Sequence, residues 1–397
     1  MLLLLLILLG SIGGAITTES GLRLLVQQAQ LWGPGKLKVD SLEGRLMDKV
    51  NITGLSYQLE ETAVKVGSFQ LDWDAESLLN GQAYVKKLHI DSIEVHLPKT
   101  EEEEESEPFV LPDIKLPLKI AIDDVKIEHL SIKMPGAAPL IIDSIELQST
   151  TTDRLSLQHL LVKSPQFNAK LVGDVGLTAP HTVQLDLDWT AKLPEFTVVG
   201  EGKLSGDMQK LTLNHTVSKP LEINLKTTVK DVLGALDIDA LLTWQEIYWP
   251  LNPAVPKDYL VNSQQGRVTL LGTLENYYFN LSAKVAGKQI PAGDWTIAAQ
   301  GNKQEITLKK LRSNILKGAI SATGKVSWKP ELVAEVNLNT DQITIKDFWK
   351  EWPDQLRLNS QLMAILDGNH FKIHLFNVNL PQTRAKLSLK GEGMLAG

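Results

Sequence analysis

From Lys36 onward apolar side chains recur at every second position, which dictates a succession of β-strands whose two faces differ in character. Val183, Leu185, Leu187 and Trp189 alternate with Gln184, Asp186, Asp188 and Thr190. Leu221, Ile223 and Leu225 repeat the pattern, as do Val336 with Leu338, Ile343 with Ile345, and Ile373 with Leu375. Such alternation makes one face of a sheet dry and the other wet. Val125-Lys126-Ile127 followed by Leu130-Ser131-Ile132 slips the phase by one residue and predicts a bulge or bend. After Trp32, residues 231–236 and 347–356 are the stretches expected to supply short helical turns. The expected fold class is mostly β.

A faint repeat runs through these strands. V-V-G-E-G-K-L-S-G (198–206) matches L-K-G-E-G-M-L-A-G (389–397), with looser copies at 171–179 and 322–328. Each copy carries a glycine near its start, the mark of a bulge or a close backbone approach. The irregular spacing argues against a propeller and for a meander of similar rungs. If about 350 residues made rungs of roughly 12 to 14 residues, some 25 to 29 of them at ~4.8 Å would give a groove of about 120–140 Å.

The amino terminus is different. Residues 1–18 carry no charged side chain, and Leu2, Leu3, Leu4, Leu5, Leu6, Ile7, Leu8 and Leu9 form an unbroken apolar run, extended by Ile12 and Ile16. The run falls slightly short of the roughly 20 residues a spanning helix needs. It reads either as a signal peptide lacking its basic region or, as preferred here, as a membrane anchor trimmed at its start. Ser20 is the expected N-cap of a helix carrying Leu22, Leu25, Val26, Ala29 and Trp32, and Gly33-Pro34-Gly35 stops it. That helix fits a short core element and a membrane-surface element equally well. The expected organisation is an anchor over 1–18, a helix over 19–35, a first β segment over 36–97, an acidic linker over 98–119, and groove repeats over 120–397. The linker holds four prolines, the run Glu101 to Glu105 and Glu107, and reads as solvated loop.

Composition removes several functions. Lys plus Arg number 40 against 47 acidic residues, a net charge of −7, which disfavours nucleic acid as a partner. Zero cysteines exclude disulfides, thiolate metal sites and cysteine nucleophiles. His370 and His374 form H-x-x-x-H without a glutamate, and on a strand the two rings would stand about 13 Å apart. His89 and His96 are no better placed. Gly200-Glu201-Gly202 lacks a third glycine and a βαβ setting. Asp186 with Asp188, and Asp237 with Asp239, fall on wet faces where carboxylates keep ordinary acidity. The sequons at Asn51, Asn214 and Asn280 matter only in a glycosylating pathway. No catalytic residue, metal ligand or cofactor site is expected, and the chain is not read as an enzyme.

A dry face must be buried by a second sheet, by closure into a barrel, or by a long apolar ligand in a groove left open. Periodicity leaves all three open. The quoted strings add a family resemblance: T-T-E-S-G-L (17–22), K-V-D-S-L-E-G-R-L (38–46), the acidic linker, I-Y-W-P (247–250), A-G-K-Q-I-P-A (286–292), A-A-Q-G-N (298–302) and E-W-P-D-Q-L (351–356). In this order, over nearly the whole length, the chain resembles the amino-terminal portion of the TamB family, within the AsmA-like group. The resemblance implies an elongated, partly open, U-shaped β groove behind an inner-membrane anchor, in the periplasm of a Gram-negative bacterium. It also implies phospholipid transport toward the outer membrane, and autotransporter and outer-membrane protein assembly with a TamA-like barrel partner. That partner is met through a carboxy-terminal domain that the family carries and this chain lacks, so a fragment is expected.

The residues expected to line the groove are Val183, Leu185, Leu187, Leu221, Ile223, Leu225, Val336, Leu338, Ile373 and Leu375. The alternative is a scaffold that offers sheet edges to outer-membrane β-strands without conducting lipid.

Overall fold

The computed structural model describes residues 17–98, 111–251, 261–287 and 290–394. The apolar residues Leu2 to Leu9, Ile12 and Ile16 and the acidic run at 101–107 lie outside the described residues. Among those described, no helix is long and apolar enough to cross a membrane. The chain divides into two compact units, Met1–Leu193 with Lys203–Asp207, and Pro194–Gly202 with Met208–Gly397.

The first unit begins with helix α1 (Glu19–Trp32) and continues through β1 (Lys36–Gly44), β2 (Lys49–Leu59), β3 (Thr62–Asp74), β4 (Gln82–His96), β5 (Lys119–Lys133), β6 (Leu140–Thr151), β7 (Arg154–Lys163), β8 (Phe167–Gly176) and β9 (Val183–Lys192). Residues of β10 (Thr197–Gly206) fall in both units. The second unit holds β11 (Lys210–Lys219), β12 (Glu222–Lys230), β13 (Asp237–Trp249), β14 (Val261–Thr273), β15 (Asn276–Ala286), β16 (Gly293–Gly301), β17 (Glu305–Asn314), β18 (Ala319–Ser327), β19 (Val333–Ile343), β20 (Leu358–Asp367), β21 (His370–Leu380) and β22 (Ala385–Met394). The described strands number 22 rather than 25 to 29, because many run to 11–15 residues before the turn is added.

Within each unit every strand pairs with its sequence neighbour, the simplest way for hairpin-connected strands to fill a sheet. All these pairs are antiparallel but one. Strands β4 and β5 run parallel, from Gln82 opposite Lys119 to His96 opposite Lys133. A parallel pair needs a return path as long as the strand, here about 50 Å for 15 residues at ~3.3 Å each. The 22-residue connection between them is the Pro/Glu-rich linker, which explains its length. Its described end is tied down. The Ile114 amide donates to the Leu177 carbonyl at 2.8 Å, the Asp113 carboxylate accepts from the Ala179 amide at 2.8 Å, and Lys119 donates to Gly81 at 3.0 Å.

Among the described residues the 22 strands form one sheet that does not close into a barrel: β1 has β2 as its partner strand and β22 has β21. Thirteen apolar side chains are fully buried among all the described residues, too few for a sandwich core of this length. Two local clusters exist. Leu22 of α1 packs on Leu42 and Val50, with Val26, Ile52, Phe69 and Leu71 around them. Ile315, Leu316 and Ile343 form the other, beside Trp295, Ile320 and Leu358.

The N-cap of α1 is Thr18, whose hydroxyl accepts from the Gly21 amide at 3.1 Å. Ser20, expected to cap, lies inside the first turn. Gly33 ends the helix as expected, its amide bonded to the Ala29 carbonyl at 3.0 Å. Turns occupy 231–236, closed by Leu236 on the Asp231 carbonyl, and 345–352, where Trp349 bonds back to Ile345. In the second turn Trp352, from the E-W-P-D-Q-L string, is buried and donates to the Leu356 carbonyl at 3.1 Å.

Candidate functional site

Directly paired residues of neighbouring strands point to the same face, so the register traces each face across a sheet. In the first unit one ladder reads Val50, Leu71, Leu88, Val125, Leu147, Leu160, Leu171, Leu187 across β2 to β9. In the second unit His215, Leu225, Leu242, Val268, Leu281, Ile297, Leu311, Ala322, Leu338, Leu362, Phe376 and Leu389 form one row across β11 to β22. Eleven of those twelve side chains are apolar. The row beside it on the opposite face reads Thr216, Asn224, Thr243, Arg267, Ser282, Thr296, Arg312, Ser321, Asn339, Gln361, Asn377, Ser388. Each unit therefore has one apolar and one polar face. Among the described residues most of the apolar side chains are only half-buried, their flanks covered by the neighbouring strands.

A line of mutually opposed, unpaired residues keeps the faces pure. Pairing skips Asp40 and Gly54, then Gly67, Ser92 and His129, in a row across β1 to β5. Gly54 (φ 65°), Ser92 (φ 61°) and His129 (φ 53°) take the left-handed conformation there. At this line the apolar phase changes in every strand, from Leu88 and Ile90 to Ile93 and Val95, and from Val125 and Ile127 to Leu130 and Ile132. The slip expected near Val125–Ile132 is thus one segment of a crease that bends five strands together. Glycine is needed most where an indole lies over the backbone: a Cβ on Gly266 would stand 1.8 Å from the Trp244 ring. The Trp244 Nε1 hydrogen bonds to the Ser263 hydroxyl at 2.9 Å, which fixes the ring over the groove side of β14.

The expected groove residues fall as follows. Val183, Leu185 and Leu187 share the apolar face of β9. Ile223 and Leu225 lie on that of β12, and Leu225 and Leu338 sit in one row of the second unit. Val336 and Ile373 meet in a second row through Ala364. Leu221 occupies the bend just before β12, outside the strand. Leu375 is a correction. Ile373 pairs with Ala364 and Leu375 with the adjacent Met363, so His374 is an extra residue and Leu375 points to the polar face. Phe376 and Val378 take the inward positions instead.

Charged chemistry gathers on the outer face beside the crease. His129 Nδ1 lies 2.6 Å from Asp91 Oδ1, His89 Nε2 lies 2.6 Å from Glu128 Oε2, and Lys126 Nζ lies 2.7 Å from Glu128 Oε1. The hydrogen bond to His129 holds the Asp91 carboxyl below its ordinary pKa, and the same bond holds the His129 imidazole above its own. Lys126, then His89, hold the Glu128 carboxyl below its ordinary range. These groups are solvated, so the pairs contribute little to stability. Among the described residues no group of three or more His, Asp or Glu is arranged to hold a metal ion.

What sequence reasoning missed are the inward partners on other strands, such as Leu71, Leu171, Leu242 and Leu362, and the bulges that keep them in phase. Adjacent apolar residues, as at Leu375-Phe376, were the available signal.

Comparison with known proteins agrees with this architecture. The family model described as "TamB, N-terminal domain" matches residues 8–110 and 105–397. The chain is 24% identical over 390 residues to the translocation and assembly module subunit TamB of Haemophilus influenzae, covering 86% of this chain. It spans 29% of the length of that relative. No solved structure matches. With the family match running over almost its whole length, this chain belongs to the TamB N-terminal domain family.

Proposed function

We propose that the apolar face is a path for phospholipid acyl chains. On this reading the chain is part of an inner-membrane-anchored protein whose bulk lies in the periplasm, carrying phospholipids toward the outer membrane. Its role as a subunit of a translocation and assembly module, and the name its relative carries, then extend to supporting outer-membrane protein and autotransporter assembly with a TamA-like barrel partner.

The observation that carries the reading is the row from Leu225 to Leu389, apolar on every strand from β12 to β22 and, among the described residues, mostly only half-buried. Acyl chains suit such a surface because each CH₂ removed from water contributes about 0.8 kcal/mol and asks for no specific residue. A small polar substrate would instead need convergent hydrogen-bonding groups, and the inward rows offer few.

The test is photocrosslinking in cells from the full chain, with a photoreactive residue at Leu185 or Ile223 and controls at Asp186 and Asn224. Phospholipid adducts at the first two and not at the controls are expected. Their absence, with adducts to outer-membrane protein strands in their place, would replace conduction by scaffolding.

A further inference from the structure

We infer that α1 rests on a lipid bilayer surface, with Leu24, Leu25, Leu31 and Trp32 in the membrane. The helix has two apolar sides. Leu22, 6% exposed, and Val26, four residues on, seat it against Leu42 and Val50 at the start of the apolar face. Leu24 and Leu31, seven residues apart, form a stripe 53% and 75% exposed. Leu25 and Trp32, also seven apart, form the next stripe at 39% and 83% exposed. On one flank Arg23, Gln27 and Gln30 separate the two sides, with Arg23 satisfied by Glu19 at 2.7 Å, and the exposed Gln28 lies between the two stripes.

A single exposed leucine is unremarkable, but two adjacent stripes ending in a tryptophan are the pattern of a helix lying in the interface plane. The occupant follows from the chain itself. The residues before α1, 1–16, carry no charge and are rich in leucine. Whatever holds that segment in lipid holds α1 beside it. The helix exit is also fixed, since the Tyr57 hydroxyl donates to the Pro34 carbonyl at 2.8 Å. Leu22 and Val26 therefore bring β1 to β3 along with the helix and set the first rungs of the apolar face at the bilayer surface. The inference does not depend on lipid conduction, which stands or falls on the adducts at Leu185 and Ile223.

The absence of cysteine makes the test direct. Leu31→Cys and Gln27→Cys in the full chain each carry one environment-sensitive fluorophore, and the protein is bound to phosphatidylethanolamine–phosphatidylglycerol vesicles. The probe at residue 31 is expected to shift to the blue and to be quenched more by lipids labelled near the headgroup than by lipids labelled deep in the chain. The probe at residue 27 is expected to stay aqueous. Three results overturn the inference: an aqueous probe at residue 31, a blue-shifted one that no lipid quencher reaches, or a chain that does not bind the vesicles.

Discussion

Leu185→Asp combined with Leu187→Asp is expected to lower phospholipid occupancy at that level of the first unit by at least about 100-fold, the effect of one such carboxylate, with the unit still folded. A carboxylate set among acyl chains costs about 2.5–3.5 kcal/mol, and each 1.4 kcal/mol is a factor of ten. Without lipid the two side chains are half-buried at the open face of β9, so the introduced carboxylates can hydrate. On the β8 side Leu187 loses packing against Leu171, while Leu185 faces Gly173. The folding penalty is therefore expected near 1–2 kcal/mol in total, by the range for substitutions that create no sealed cavity. Lipid adducts from a photoreactive residue at Leu171 measure the first effect, and a urea unfolding curve measures the second. Gln184→Asp and Thr190→Asp, on the outer face, should change neither. Undiminished lipid adducts in the folded double variant would contradict the proposed path.

A one-residue deletion is expected to be tolerated at His374 and damaging at Asp186. His374 is the extra residue of β21: without it Ile373, Leu375 and Phe376 still stand opposite Ala364, Met363 and Leu362, so Phe376 and Val378 keep their inward positions. Strand β9 pairs with β8 without a bulge, so loss of Asp186 turns over one end of the strand, and either Val183 with Leu185 or Leu187 with Trp189 faces water. Full burial of such side chains contributes about 1.5–3 kcal/mol each, so a loss of about 3 kcal/mol is expected for the Asp186 deletion. The His374 deletion should cost no more than about 1 kcal/mol. Urea unfolding of the two variants checks the contrast. Equal losses would mean that His374 is not an extra residue in the pairing.

The same bulge marks the limit of what was legible in the sequence. Strand β9 carries no irregularity within its pairing to β8, and there Val183, Leu185 and Leu187 could be placed inward from alternation alone. In β21 the alternation of Ile373 and Leu375 misled, because facing direction depends on the residues opposite, and those are known only once β20 is aligned. The phase slip at Val125–Ile132 was legible as a local bend. That it lines up with Gly54, Gly67 and Ser92 across separate strands was not, since each slip alone is a single unpaired residue. The parallel pairing of β4 with β5 was likewise hidden, although the linker that permits it was plain. For α1, spacing gave the apolar positions but could not choose between core and surface. The structure uses Leu22 and Val26 for the first and leaves Leu24, Leu31 and Trp32 for the second.

The central claim is that one face is apolar on every strand and uncovered, and nitroxide scanning tests it most directly. Single cysteines would be placed one at a time along β19 and β21 of the full chain and labelled. Collision rates with oxygen and with a water-soluble nickel chelate would then be compared. Ala334, Val336 and Leu338 are expected to favour oxygen, and Glu335, Asn337 and Asn339 the chelate. The alternation in β21 should break at His374, so that Ile373 and Phe376 behave alike. Inward sites closed to both reagents, or an alternation running unbroken through His374, would contradict the account.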